Sequence, residues 1–199
     1  MLELKDGFIF YHGSYCEVKE PDLTQCAKRK DFGQGFYLTT SKEQAANFLK
    51  TAIVKAVAAG KIQENQNYGY ISTFELQLSR KLEIHIFEKA DVDWLHCIAA
   101  HRKKKLFVEV EHDMEKYDVI AGKIADDATN ATLTAYLAGA FGTIGGKEAD
   151  AFCIKQLLPN KLKDQYCFKT KAAIECLKFV EGEKVWLKYQ FQKKKWIIQ

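Results

Sequence analysis

The sequence predicts an α+β fold, in which short strands and helices follow one another without regular alternation. Two features of the chain carry this prediction. Apolar runs at residues 8–11 and 36–38 are typical of short buried strands, whereas residues 41–61 carry apolar side chains at helical spacing. A chain of 199 residues that is 47% hydrophobic can form one ordinary core, so we expect a single domain over residues 1–199.

The two strands predicted in the first part of the chain are both bounded by glycine. The strand at residues 8–11 ends at His12-Gly13, and the strand at residues 36–38 follows the closely spaced pair Gly33 and Gly35. The chain has only 12 glycines. Two of them so close together, directly before an aromatic strand, indicate that the backbone there bends closely around something.

The strongest helix prediction begins at Ser41. Serine followed three positions later by Gln44 is the capping-box pattern, in which the serine side chain satisfies a free backbone N–H of the first turn. The apolar residues that follow at helical spacing are Ala45, Phe48, Leu49, Ala52, Ile53 and Val57.

The later elements are assigned in the same way. Extended patterns predict strands at residues 70–78, 82–87, 117–125 and 165–169. Helical spacing and end signals predict helices at residues 90–105, 126–141, 147–158 and 170–179. The lysine-rich end, from residue 184 onwards, alternates like an edge strand.

Composition excludes few functions but narrows the setting. The 30 basic and 26 acidic residues give a net charge of +4 with both signs interspersed, which neither implies nor excludes a nucleic-acid partner. The six cysteines include no Cys-x-x-Cys pair, which fits a reducing environment. Charges interrupt the N-terminal segment, and no window of about 18 apolar residues occurs, so we expect a soluble, cytoplasmic protein without a membrane partner.

Three stretches carry the functional signal: YHGS at 11–14, GQGFYLTTSKEQAANF at 33–48 and DQYCFKTKAAIECLKF at 164–179. In order and in local spelling they resemble the ADP-ribosyltransferase superfamily, in the His-Tyr-Glu branch of diphtheria toxin and the poly(ADP-ribose) polymerases. They are also similar to an uncharacterised group of bacterial domains with DFGxGFYLTT and DQYxF motifs. The resemblance implies a split β-sheet core with flanking helices and NAD in a cleft between its halves.

The resemblance also implies roles for individual residues. His12 would bind the ribose hydroxyls of NAD, the backbone of Gly13 would hold the nicotinamide carboxamide, and Ser14 would orient this turn. Tyr37 and Phe48 would stack on the two faces of the nicotinamide ring. Gly33 and Gly35 would let the backbone turn beneath this flat ligand, which makes Gly35 a cofactor-binding position. The structural alternatives are a polar strand end for His12 and core packing for both aromatic residues.

The third catalytic position holds Gln165, where the branch has a glutamate. The implied reaction breaks the bond between nicotinamide and ribose through a cationic sugar, which a nearby negative charge stabilises. Glutamine can accept a hydrogen bond from a ribose hydroxyl but offers no charge, which costs about a hundred- to thousandfold in rate. Cys167 stands two residues later, so the Gln-x-Glu pattern of another branch is absent. Asp164, Asp126 or Asp127 could supply charge.

We therefore expect an NAD-dependent mono-ADP-ribosyltransferase of a His-Tyr-Gln type, with His12, Tyr37 and Gln165 as catalytic residues. NAD would be its co-substrate, and the acceptor would be an unidentified protein or nucleic acid. A bacterial toxin or effector role with a neutralising partner protein follows by analogy only. The alternatives are a domain that binds NAD or ADP-ribose with little or no turnover, an NAD glycohydrolase, and an interaction protein whose cleft is filled by its own side chains.

Two other clusters favour simpler interpretations. His96, Cys97 and His101 fall on one predicted helix, but the two histidines, five residues apart, point in different directions, so we expect no metal site. The lysine-rich segments at 101–105 and 193–195 are typical of solvated chain segments, with phosphate contact as the alternative. Asp126 and Asp127 are most simply an acidic helix start.

Overall fold

The computed structural model describes residues 2–125, 127–157, 162–190 and 195–198. Within them the chain divides into two compact units, each assembled from separate segments. The mixed-sheet unit takes its described residues from Met1–Glu3, Asp22–Tyr37 and Lys81–Ile174. The antiparallel unit takes its described residues from Leu4–Pro21, Leu38–Arg80 and Glu175–Gln199.

The predicted α+β class is confirmed, since the described residues form two four-stranded sheets and six α-helices in irregular succession. The strands are β1 (Ile9–Ser14), β2 (Phe36–Leu38), β3 (Tyr68–Leu76), β4 (Ile84–Ile86), β5 (Val119–Lys123), β6 (Asp164–Phe168), β7 (Leu177–Gln190) and β8 (Lys195–Ile198). The helices are α1 (Lys42–Ala58), α2 (Val92–Arg102), α3 (Val108–Met114), α4 (Asp127–Leu137), α5 (Lys147–Leu157) and α6 (Lys171–Ile174). A short 3-10 helix lies at Leu23–Gln25.

The sheet of the antiparallel unit has the order β1-β3-β7-β8. Helix α1 covers one of its faces, because Leu49 and Ile53 of α1 pack into one buried cluster with Ile71 of β3 and Val185 of β7. Side chains alternate between the two faces of a strand, so His12 and Ser72, which lie directly opposite each other on β1 and β3, belong to the other face. The sheet therefore has one face covered by α1 and an opposite face on which His12 and Ser72 lie.

Both ends of α1 follow from local chemistry. The Ser41 side chain accepts a hydrogen bond from the N–H of Gln44 at 3.2 Å, which confirms the predicted N-cap. At the other end Gly60 has a positive φ of 65°, and the N–H of Lys61 donates to the carbonyl of Ala56 at 2.9 Å. This is the hydrogen-bond pattern of a Schellman motif, which favours glycine because its backbone is left-handed.

The sheet of the mixed-sheet unit has the order β2-β6-β5-β4. Strands β4 and β5 are parallel, whereas β5 and β6 are antiparallel, with Gln165 directly opposite Gly122. Helix α2 supplies much of the core through Trp94 and Ile98, both fully buried. The indole N–H of Trp94 donates to the carbonyl of Lys123 at 3.0 Å, which ties α2 to β5.

Two sequence predictions are wrong in this part of the chain. The helix expected over residues 170–179 is only the single turn α6, because residues from Leu177 onwards pair with β3 in strand β7. The lysine-rich end does not form one edge strand, since β7 lies between β3 and β8. Helix α3 occupies a stretch for which no element is predicted; its start, Val108-Glu109-Val110-Glu111, alternates like a strand.

Among the described residues no helix combines the length and apolar character that crossing a membrane requires.

Candidate functional site

His12 lies in the antiparallel unit, inside β1 and not beyond its end. Its imidazole is partly buried on the sheet face opposite α1. The next residue, Gly13, faces α1, and a Cβ there would overlap the carbonyl oxygen of Ala45. Glycine at position 13 is therefore required by the packing of α1 on β1, independently of any ligand. Ser14, at 8% exposure, closes the strand as a buried polar residue.

Phe48, the second aromatic residue of the motif, lies on α1 in the same unit. Its neighbour Leu49 is fully buried in the core, but Phe48 itself is 39% exposed. The ammonium group of Lys55, two turns later, lies 6.0 Å from the centre of its ring. Phe48 is thus a surface aromatic residue of the helix and not a core residue, which argues against the structural alternative for it.

Tyr37 lies on β2 in the mixed-sheet unit, where its hydroxyl is fully engaged. The hydroxyl accepts the N–H of Phe32 at 2.9 Å and donates to the carbonyl of Gly33 at 2.8 Å. Burial raises the pKa of Tyr37 well above its ordinary value, and the nearby Cys167 and Asp31 raise it further. Tyr37 is therefore a neutral phenol that fixes the glycine-containing turn before its own strand.

The glycine pair before β2 bends around the chain itself. Gly33 has a positive φ of 83°, and a Cβ there would come within 2.6 Å of the His101 ring. A Cβ on Gly35 would overlap the sulfur of Cys167 and lie 2.9 Å from the carbonyl oxygen of Phe168. Both glycines are thus explained by close packing against α2 and β6, and the ligand-related role of Gly35 stays a prediction.

Gln165 is a buried residue of β6, with 5% of its surface exposed. Its side-chain nitrogen Nε2 donates to the carboxylate of Asp31 at 2.8 Å and to the carbonyl of Lys123 at 3.3 Å. Because both partners are pure acceptors, the amide can have only this orientation. Its oxygen Oε1 is therefore the end of the amide that can accept a hydrogen bond from a ligand.

Asp31 is the centre of a buried polar network that the sequence did not predict. Its Oδ1 accepts from Arg102 at 2.9 Å (Nε) and 2.6 Å (Nη2), and its Oδ2 accepts the N–H of Ala125 at 3.1 Å as well as the Gln165 amide. Arg102 also donates to the Asn130 side chain at 2.9 Å. Asp31 begins the DFG spelling, but no local spacing relates it to an arginine 71 positions away.

The structure thus assigns the predicted residues to two groups. His12, Gly13, Ser14 and Phe48 belong to the antiparallel unit, whereas Gly35, Tyr37 and Gln165 belong to the mixed-sheet unit.

Three further acidic residues could supply charge near Gln165: Asp164, Asp126 and Asp127. Asp126 and the side chain of Asp127 lie outside the described residues. Asp164 faces the opposite side of β6 from Gln165 and pairs with the cross-strand Lys123, with 2.8 Å between Nζ and Oδ1.

The helix α2 histidines enter hydrogen bonds with the protein. His96 Nε2 lies 2.7 Å from the carboxylate of Asp150, which also accepts the hydroxyl of Tyr136. Burial lowers the pKa of His101, so its ring is neutral and Nδ1 donates to the carbonyl of Cys97 at 2.8 Å. Within the described parts of the chain, no cluster of three or more His, Cys, Asp and Glu side chains could hold a metal ion.

Three of the cysteines have thiols of low reactivity. Burial raises the pKa of Cys97, Cys153 and Cys167 to about 12, so their thiols stay protonated at neutral pH. Cys16, soon after β1, is exposed.

A family model described as "Protein of unknown function (DUF3990)" matches residues 8–179, which include all three motif stretches. No curated protein and no solved structure is significantly similar to the chain.

Proposed function

The chain belongs to the DUF3990 family, whose function is unknown, and we propose that it is an NAD-dependent mono-ADP-ribosyltransferase. One observation carries the proposal. The three motif stretches occur in the order required by the resemblance, and the histidine, tyrosine and glutamine in them each lie on a strand: β1, then β2 leading into α1, then β6. The acceptor would be a protein or a nucleic acid. Action as a bacterial toxin or effector, restrained by a neutralising partner protein, is part of this proposal by analogy.

In the proposed reaction NAD loses nicotinamide and the acceptor gains ADP-ribose. The bond between C1′ of the ribose and the nicotinamide nitrogen breaks, and its electron pair leaves with nicotinamide. A nucleophile of the acceptor then bonds to C1′ and releases a proton. Little covalent chemistry falls to the protein, so positioning and electrostatics supply the rate.

Each side chain has a task that its surroundings allow. His12, partly buried on the face opposite α1, would hydrogen-bond the ribose hydroxyls, with the Gly13 backbone holding the nicotinamide carboxamide. Phe48 offers an exposed aromatic face. Tyr37, with its hydroxyl held by the chain, offers only its ring for stacking.

Gln165 would act through its oxygen. Since Asp31 and the Lys123 carbonyl occupy its nitrogen, Oε1 is fixed as an acceptor for a ribose hydroxyl. A neutral amide cannot replace the charge of a glutamate, so we expect turnover about a hundred- to thousandfold below that of an enzyme with the full triad.

The fixed orientation of the neutral Gln165 amide favours a second candidate function. A domain that binds NAD or ADP-ribose without cleaving it needs an oriented acceptor at this position and no charge. Hydrolysis of NAD, with water in place of the acceptor, would use the same residues as transfer.

The decisive experiment is release of nicotinamide from NAD by purified protein, with and without a cell lysate as acceptor source. The comparison is wild type against His12→Ala, with His112→Ala as control, because the His112 side chain is 83% exposed on α3. Release that only His12→Ala abolishes supports an NAD-consuming enzyme, and stimulation by lysate indicates transfer. Saturable NAD binding by calorimetry without release supports the binding domain. A protein that shows no NAD binding and no nicotinamide release would refute the proposal.

A further inference from the structure

Residues 16–19, which begin two positions after the end of β1, are anchored on the sheet of the antiparallel unit. The N–H of Val18 donates to the hydroxyl of Ser72 at 2.9 Å. Ser72 is fully buried and lies directly opposite His12 on the neighbouring strand. The segment therefore lies against the same sheet face on which His12 projects.

Glu17 of this segment rests on Gly182, the residue of β7 directly opposite Ser72. A Cβ built on Gly182 would overlap Oε1 of Glu17 and lie 2.6 Å from its Cδ. His12, Ser72 and Gly182 thus form one row across three strands, and the Glu17 carboxylate lies over the end of it. Two strand spacings separate the ends of the row, or about 10 Å between their Cα atoms.

Gly182 has no conformational reason to be glycine. Its φ is not among the positive values of the chain, so alanine could adopt the same backbone. Glycine within a strand weakens the sheet and often marks a place where another group approaches closely. Here the approaching group is the Glu17 side chain. Glycine at position 182 therefore weakens the strand but leaves space for the Glu17 carboxylate.

The ion pair that Glu17 makes neutralises its carboxylate only weakly. Its side chain is 31% exposed, and its one ion pair in the described residues is with Lys19, at 3.3 Å, whose side chain is 65% exposed. A lysine that exposed is well screened by water and neutralises a partner only weakly.

We propose that Glu17 is a further catalytic residue, whose carboxylate stabilises the positive charge that develops on the ribose when nicotinamide leaves. This inference rests on the proposed function, and the Glu17 carboxylate would supply part of the electrostatic stabilisation that Gln165 cannot provide. The contribution is electrostatic: no bond forms to Glu17, the electron pair of the broken bond leaves with nicotinamide, and the acceptor or water supplies the new bond to C1′ and releases the proton.

The test compares nicotinamide release by wild type, Glu17→Gln, Gly182→Ala and Glu20→Gln. Glu17→Gln removes the charge with almost no change of shape, and we expect kcat to fall roughly ten- to hundredfold with KM for NAD little changed. Gly182→Ala keeps the carboxylate but displaces it, because the three atoms nearest to the new Cβ all belong to the flexible Glu17 side chain. It should lower kcat without lowering Tm. Glu20 is an exposed carboxylate of the same loop and serves as control.

The outcomes separate the two proposals. Loss of kcat in both Glu17→Gln and Gly182→Ala, with no further loss when they are combined and none in Glu20→Gln, supports the role of Glu17. Wild-type release that His12→Ala abolishes and Glu17→Gln leaves intact overturns the role of Glu17 alone. Loss of Tm in Gly182→Ala in proportion to its loss of activity would also overturn it, since the glycine would then be structural. A wild type that releases no nicotinamide overturns the proposed function and this inference together.

Discussion

Replacing Gln165 by glutamate introduces the residue type of the His-Tyr-Glu branch that the motif stretches resemble, yet the structure predicts that it destabilises this protein. Gln165 is 5% exposed, and its side-chain amide donates to the Asp31 carboxylate at 2.8 Å and to the Lys123 carbonyl at 3.3 Å. Gln165→Glu exchanges that donor for an acceptor and sets a second carboxylate against Asp31. Two neighbouring carboxylates cannot both remain ionised without cost.

The size of the effect follows from the contacts that are lost. A hydrogen bond to a charged group contributes about 1.5–3 kcal/mol. Repulsion between the carboxylates adds to this loss, whereas the Arg102 guanidinium, 2.6 Å from Asp31, offsets part of it. We expect Gln165→Glu to lower the free energy of unfolding by about 3 kcal/mol at pH 7.5. In a chain of this length, each kcal/mol corresponds to roughly 2–4 °C in Tm.

The penalty depends on pH in a defined direction. The introduced carboxyl has a reference pKa of about 4.3, and the adjacent Asp31 charge raises its pKa in the folded state. A carboxyl whose pKa is raised by folding destabilises the protein above its unfolded pKa and is harmless below it. The Tm difference between wild type and Gln165→Glu should therefore be large at pH 7.5 and smaller at pH 5.0.

Thermal unfolding followed by circular dichroism at both pH values measures this. Gln63→Glu is the matched control, because it makes the same charge change at an exposed position. A Gln165→Glu variant as stable as Gln63→Glu at pH 7.5 would refute the reasoning. So would a Tm difference that is the same at both pH values. The same geometry predicts that nicotinamide release by Gln165→Glu does not exceed that of wild type.

Further predictions concern packing, capping and thiol chemistry. Gly13→Ala should lower the free energy of unfolding, measured with denaturant, by about 2–4 kcal/mol, because the new Cβ overlaps the Ala45 carbonyl. Gly7→Ala should lower it less, because there is open space around Gly7, although its φ is positive at 79°. Ser41→Ala should cost about 1 kcal/mol through the lost N-cap, and Ser41→Asp should restore it. At pH 7.5 a maleimide should label exposed Cys16 rapidly but Cys167 only after unfolding, since burial raises the Cys167 pKa to about 12; equal rates in the native protein would contradict this.

The sequence by itself determined those features that arise within a few neighbouring residues. The α+β class, the strand at Phe36–Leu38 and the start of α1 at Ser41 could all be predicted. Alternation and the N-cap act between residues two to four positions apart, so they can be recognised without knowing the rest of the chain. The motif stretches containing His12, Tyr37 and Gln165 could be recognised for the same reason.

Tertiary structure decided what depends on residues far apart in the chain. The helix predicted beyond Ile174 gave way to β7 because pairing with β3 outweighs local propensity. The hydrogen bond between Gln165 and Asp31 spans 134 positions, and together with the bond to the Lys123 carbonyl it fixes which end of the amide can face a ligand. Glu17 likewise reaches Gly182 only because β1, β3 and β7 are neighbours in one sheet. Contacts of this kind cannot be predicted from a spacing in the sequence, because only the folded sheet brings the two residues close together.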